Sequence, residues 1–249
     1  MGARDTELAD FRRSAISPSR LRLFCYCESA AVLERQASRD DPWLTTAALR
    51  GFLRHEIHAK EQIALLGQLE PVEVWTVGEA MDFVEITIRR ALRQRIILAN
   101  SANIRTFCTI VPELVPGRGC YGYPDALDCR NGASPVVVEA KYRMFAPLGP
   151  AWTADKIQCA AYLAGLVELG FTDVHARIAY RDSCDRGGDV SLSYTAELEA
   201  KLKAIARRLD SVEKGLDEPV SGDPSRCPFC MFRYICACCD RPKPFPPPG

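Results

Sequence analysis

The chain has 249 residues, 47% apolar and 26% charged, enough for one large soluble domain or two small ones with a sizeable core. Lysine plus arginine equals aspartate plus glutamate, 32 against 32, so global charge cannot attract a polyanion and any such binding rests on local basic patches or metal ions. No run of 18 or more apolar residues exists, and the opening MGARDTELADFRRSAISPSR lacks an apolar h-region, so neither a membrane span nor a secretory signal is expected and the cytoplasm is the expected location.

Residues 17–36 open with Ser17-Pro18 and continue in helical spacing, which predicts a helix capped by Ser17. A second helix is expected over 45–66, with Gly51, His55 and His58, and a third over 79–99, carrying Arg89, Arg90, Arg93 and Arg95. The pattern then changes to short β-type runs, RTFCTIVPELV, CYGYPDALDCR and SPVVVEAKY, broken by Pro-Gly and Asn-Gly turn signals. Val136 to Val138 is a β-branched run typical of a strand buried on both faces. Residues 153–169 return to helix, with Gly170 as a stop. HARIAYRD reads as another strand and 195–214 as a charged amphipathic helix. A linker, a cysteine cluster and the proline-rich tail 241–249 follow, and the tail is expected to be disordered. This order predicts an α/β fold, a central mixed β-sheet flanked by helices.

The segment GYPDALDCRNGASPVVVEAKYR is the most informative. The Asn131-Gly132 turn can bring its two strands together as a hairpin. Glu139 and Lys141, two apart on a strand, share a face, and Asp125 can face them from the neighbouring strand. Two carboxylates beside an ammonium suit Mg²⁺ or Mn²⁺, which take oxygen ligands and can bridge carboxylates to a phosphodiester. Such an ion polarises the phosphoryl oxygen and makes a water molecule more acidic, and Lys141 could orient that water or stabilise developing charge. A lone Glu-x-Lys is more often an ordinary ion pair, but Gln158 and Tyr162, four apart on the following helix, and His55, after Gly51, add to the pattern. His55-Glu56-Ile57-His58 is not a zinc-protease motif, because its histidines stand three apart rather than four.

Together, Pro124-Asp125, Glu139-Ala140-Lys141, Gln158-x-x-x-Tyr162 and the upstream Gly51-Phe-Leu-Arg-His55 resemble the PD-(D/E)xK nucleases of the RecB-like branch, over about residues 17–240. The resemblance implies a restriction-endonuclease-like core. It implies His55, Asp125 and Glu139 as ligands of Mg²⁺ or Mn²⁺, Lys141 as the catalytic lysine, and Gln158 and Tyr162 lining the site and contacting DNA.

Twelve cysteines in a reducing compartment suggest metal ligation where they cluster. Cys25 and Cys27 lie near one end, and Cys227, Cys230, Cys236, Cys238 and Cys239 near the other. The scattered Cys108, Cys120, Cys129, Cys159 and Cys184 read as small buried hydrophobes. Four thiolates can hold a [4Fe–4S] cluster. Zinc is the alternative, through the local set Cys227, Cys230, Cys236 and Cys239. The spacing C-x2-C-x5-C, with a cysteine upstream of the core, is similar to that of RecB-like nucleases of the CRISPR-associated type (Cas family four) and of AddB-type helicase–nucleases. That resemblance implies a [4Fe–4S] cluster on Cys27, Cys227, Cys230 and Cys236, with Cys25 or Cys239 as the substitute fourth ligand, clasping the chain's ends together. The organisation it implies is one RecB-like nuclease domain over 1–240. Segments 17–36 and 220–240 form the clasp and 45–190 the nuclease core.

Arg89, Arg90 and Arg93 could contact DNA phosphates, although a solvated helix face is the commoner outcome of such runs. The resemblance implies an exonuclease acting on single-stranded DNA ends or overhangs, processing fragments for CRISPR spacer acquisition, with DNA and the CRISPR integrase complex as partners and no membrane. The alternatives are a stand-alone recombination, repair or phage-type exonuclease, and a non-catalytic nucleic-acid-binding subunit with a structural zinc or iron–sulfur site. No GxxxxGK[ST] phosphate loop occurs, which excludes a helicase motor in this chain.

Overall fold

The computed structural model describes residues 7–36, 76–100, 107–142, 152–181, 187–222 and residue 236. The helix expected over 45–66 and the tail 241–249 lie outside the described residues.

Three short helices open the described chain: α1 (Glu7–Ser14), α2 (Pro18–Tyr26) and α3 (Glu28–Gln36). Ser17 caps α2, its hydroxyl accepting the Arg20 N–H at 3.1 Å. The single helix expected over 17–36 is split at Cys27, whose φ of −164° and ψ of 118° are extended. Tyr26-Cys27-Glu28 contains no glycine or proline. The break instead follows from tertiary contacts: it turns Glu28 toward Arg208 and the Val220 N–H, and Cys27 toward Gly222.

Helix α4 (Val77–Gln94) begins with a capping box between Thr76 and Glu79. It ends at Arg95, which is left-handed with φ 56°, and Ile97–Ala99 forms strand β1. The expected helix over 79–99 therefore stops early. Ile97-Leu98-Ala99 continues the apolar spacing equally well as helix or strand, and pairing with a later strand decides it.

Strands β2 (Thr109–Val115) and β3 (Arg118–Gly122) form a separate antiparallel hairpin. The main sheet adds β4 (Ala126–Asp128), β5 (Val136–Tyr142), β6 (His175–Arg181) and β7 (Gly187–Ser193), in the order β1-β4-β5-β6-β7. It is mixed: β5 pairs antiparallel with β4 and parallel with β6, while β1 and β7 are antiparallel to their neighbours. The β4–β5 loop carries the expected turn, with Gly132 left-handed at φ 72° and the Asn131 side chain accepting the N–H groups of Ala133 and Ser134. Strand β7 has no counterpart in the sequence pattern. It is a largely exposed edge strand opening on Gly187-Gly188, so it carries no apolar pattern.

Parallel neighbours need a crossover, and α5 (Thr153–Glu168) supplies it between β5 and β6. Its sequence is apolar on nearly all sides, which is how a helix buried in the middle of a protein reads. One face, with Tyr162, Leu163 and Leu166, packs with Leu127, Val137 and Ile178 of the sheet. The other, with Ile157, Ala160 and Ala161, packs with Leu21 and Phe24 of α2 and with α6 (Ala196–Glu213). The result is an α/β arrangement with a mixed central sheet flanked by helices. Among the described residues, no helix is long and apolar enough to cross a membrane.

Candidate active site and cysteine clasp

The β4–β5 hairpin places the acidic residues together. Its register ends at Ala126 opposite Val138, so Asp125 and Glu139 occupy the next opposed positions. Asp125 sits on a bend just before β4, and its Oδ2 accepts the Ala140 N–H at 2.7 Å, which fixes its carboxylate against β5. The turn before it is held by Asn100, whose Nδ2 donates to the carbonyls of Phe107 and Pro124, each at 2.9 Å.

Glu139, 3% exposed, accepts at Oε1 from Lys141 Nζ at 2.6 Å and from Gln158 Nε2 at 2.7 Å. Lys141 Nζ also donates to Gln158 Oε1 at 2.8 Å. The single amide of Gln158 thus engages both members of the ion pair. Gln158 Nε2 lies 3.2 Å from Tyr162 Oη, and that hydroxyl donates to the Tyr123 carbonyl at 3.1 Å. The helix spacing of Gln158 and Tyr162 puts both on the face toward β5. Burial pushes the Tyr162 hydroxyl well above its usual range, with the Glu139 and Asp125 charges adding to the effect. Cys159, fully buried beneath the same charges, is likewise pushed well above its usual range, chiefly by burial. These groups stay protonated, and Tyr162 and Cys159, both buried, form the floor of the cluster.

Asp125, Glu139, Lys141, Gln158 and Tyr162 are therefore brought together. His55 lies outside the described residues. Arg89, Arg90 and Arg93 are exposed on α4. The end of α4 meets the β4–β5 loop, where Gly132 approaches Leu92 and Arg95, at the far end of the hairpin from Glu139. Arg89 is held by Glu85 at 2.6 Å and lies over the Phe171 ring at 5.0 Å. Asp155 and Tyr180 belong to no motif of the sequence. A charged residue in the otherwise apolar α5 was the available signal: Asp155 is fully buried and accepts the Tyr180 hydroxyl at 2.8 Å.

The cysteines separate into two kinds. Cys108, Cys120, Cys129 and Cys159 are buried in the cores, as their scatter suggests, and Cys184 lies outside the described residues. Cys25 packs against the α2–α5–α6 core, and burial pushes its thiol up to about 11. Cys27 sits instead at the break between α2 and α3, where its Sγ accepts the Gly222 N–H at 3.4 Å. Only glycine fits there, since a Cβ at residue 222 would stand 2.8 Å from the Tyr26 carbonyl oxygen and 3.0 Å from Cys27 Cβ. Cys236 is partly buried, while Cys227, Cys230, Cys238 and Cys239 lie outside the described residues. Among the described residues, no three histidine, cysteine, aspartate or glutamate side chains converge as a metal-ligating group.

No family model and no curated protein matches the chain. Among solved structures, SSO0001 aligns over 90% of this chain and 86% of its own, with 14% identity and a TM-score of 0.47. A protein from Eubacterium rectale described as "Putative exonuclease" aligns over 99% of this chain and 95% of its own, with 13% identity and a TM-score of 0.46. At these values neither likeness bears on activity, and the functional reading rests on the residues themselves.

Proposed function

We propose that the chain is a divalent-metal-dependent nuclease cutting DNA with Asp125, Glu139 and Lys141, supported by Gln158 and Tyr162. The observation that carries this is the buried Glu139–Lys141–Gln158 cluster with Asp125 anchored at Ala140. The donor chemistry fits Mg²⁺ or Mn²⁺, since two carboxylates at opposed strand positions offer hard oxygen ligands. Asp125 and Glu139 would hold the ion, with His55 added by the resemblance in sequence. When bound, the ion supplies Lewis-acid polarisation of the phosphodiester and a more acidic water.

The protein's own part follows from the contacts. An ammonium has three donors, and Lys141 spends two on Glu139 and Gln158. The third is left for a phosphate oxygen or the attacking water. Gln158 prevents Lys141 from folding down entirely onto Glu139 by offering its own carbonyl. Tyr162 fixes the Gln158 amide in that orientation. With the dry floor beneath it, the charge on Lys141 acts on the reacting phosphate with little screening.

The test is cleavage of single-stranded and splayed DNA with Mn²⁺ or Mg²⁺. The wild type cuts, and Asp125→Ala and Lys141→Ala abolish the cut. A wild type without activity, or activity that survives both substitutions, sinks the reading. Within it we place exonucleolytic trimming of single-stranded ends for CRISPR spacer acquisition, with the integrase complex as partner. Integrase genes adjacent to this one in the genome are the expected observation.

We further propose a [4Fe–4S] cluster on Cys27, Cys227, Cys230 and Cys236. Gly222 touches Cys27, and Cys227 follows five residues later, a span of at most about 18 Å. Anaerobically purified protein is expected to hold four irons and four acid-labile sulfides per chain. One zinc per chain without sulfide rejects this part.

A further inference from the structure

Beside the carboxylates lies a second network with no evident part in the steps above. The buried polar residues of α5 are Asp155 and Gln158, three apart and so on one face. Gln158 serves the cluster. Asp155 accepts the Tyr180 hydroxyl at 2.8 Å and pairs with Arg22 Nε at 2.7 Å. Tyr180 is the parallel register partner of Lys141, one strand spacing of roughly 4.8 Å away. The same Tyr180 hydroxyl accepts the Trp152 backbone N–H at 3.3 Å. One buried carboxylate and one hydroxyl therefore position an arginine and a tryptophan next to the cluster.

Both positioned residues face outward. The Arg22 side chain is 38% exposed. Its hydrogen bond to Asp155 runs through Nε, and its two Nη groups make no hydrogen bond among the described residues. Trp152 is 44% exposed and occupies the N-cap of α5, where its side chain makes no capping bond. Serine, threonine, aspartate or asparagine would serve the helix better there. A buried carboxylate needing only a counter-charge would not require an outward guanidinium fork, and a helix start would not require an exposed indole.

We propose that Arg22 and Trp152 form a nucleotide subsite beside the cutting residues; this rests on the nuclease reading above. The Arg22 Nη pair takes a backbone phosphate through two parallel N–H···O contacts. The Trp152 ring stacks on the base of that nucleotide, which must be unpaired to present its face. Asp155 and Tyr180 are positioning residues. They hold the subsite to the strand that carries Lys141, so the bound strand is set in register with the carboxylates.

The experiment is fluorescence-anisotropy binding of labelled oligothymidylate across a salt series. Ca²⁺, which takes the same oxygen ligands, replaces Mg²⁺ so that binding is read apart from cutting. Trp152→Ala is expected to weaken binding about tenfold and Trp152→Phe to restore most of it. Blunt duplex binding should be unaffected. Arg22→Gln alone strands a buried charge, so Arg22→Gln/Asp155→Asn is the deciding variant. It should keep the wild-type thermal midpoint, weaken binding about tenfold and lower the salt slope by about one. A double variant that is folded and binds with the wild-type affinity and slope overturns the subsite while wild-type cutting stands. A wild type that neither binds nor cuts overturns the nuclease reading and the subsite with it.

Discussion

Two groups of buried charge in this molecule are built in opposite ways. Glu139 and Lys141 pair at 2.6 Å although they are only two residues apart on β5. Glu213, at the end of α6, takes Arg20 from α2 and Arg118 from β3, the latter at 2.6 Å, with Asp210 adding a second carboxylate to Arg118. The second group fastens three elements that are distant in sequence. The first is an ion pair within one strand, tied to α5 only through the neutral amide of Gln158. Taking ions out of water costs several kcal/mol each, and apolar residues of similar size are often as stabilising as a buried pair. A pair whose two charges lie on one strand adds no ionic link between elements, and is therefore better explained by what it does to a substrate than by what it does for the fold.

Replacing the pair separates these roles most sharply. Lys141→Met leaves Glu139 charged and buried, so it should cost about 3–5 kcal/mol in denaturant unfolding as well as the activity. Glu139→Leu/Lys141→Met removes both charges and should return stability to within about 1–2 kcal/mol of the wild type while cleavage stays absent. Recovered stability without recovered cutting is the signature of a functional pair. A double variant that stays as unstable as the single one would make the pair structural.

The Glu213 group should behave the other way. Glu213→Ala leaves Arg20 and Arg118 with reduced compensation, and both are slightly exposed, so the cost should lie near the lower end, about 3 kcal/mol. Under conditions where the variant is folded, its cleavage rate per molecule should match the wild type. A selective loss of turnover at full folding would bring this group into the site.

Local sequence made the hairpin side of the molecule readable. Asn131-Gly132, the β-branched run before Glu139 and the four-residue spacing of Gln158 and Tyr162 each act over a few residues, and each is found in place. What it could not show were features decided at long range. Cys27 breaks a helix because Gly222, 195 residues later, packs on it. Ile97–Ala99 leaves the helical state because Ala126–Asp128 is there to pair with it. Arg89 belongs to a basic run by sequence, yet the fold gives it Glu85 and the Phe171 ring as partners. Asp155 could have been suspected from its place in an apolar helix, but its partners Arg22 and Tyr180 could not.

The same hairpin offers a smaller test of how burial sets the worth of a charge. Asp128 lies three residues from Asp125 but at the loop end, where Arg130, largely exposed, holds it at 2.7 Å and Arg177 approaches at 3.5 Å. The hydrogen bond from Arg130, with the Arg130 and Arg177 charges, keeps the Asp128 carboxyl below the usual carboxylate range. A lowered folded-state pKa gives stability that is present above the unfolded value, about 3.9, and is lost as pH falls through the folded value. Asp128→Asn should therefore cost a few tenths to about 1 kcal/mol at neutral pH, the range for an exposed pair. The gap from wild type should hold down to about pH 4, close below it, and shrink in high salt. The Lys141→Met gap, set by a charge that salt does not reach, should stay open as salt is raised. If both gaps close together with salt, the two ends of the hairpin are equally wet, and the dry floor under Glu139 loses its support.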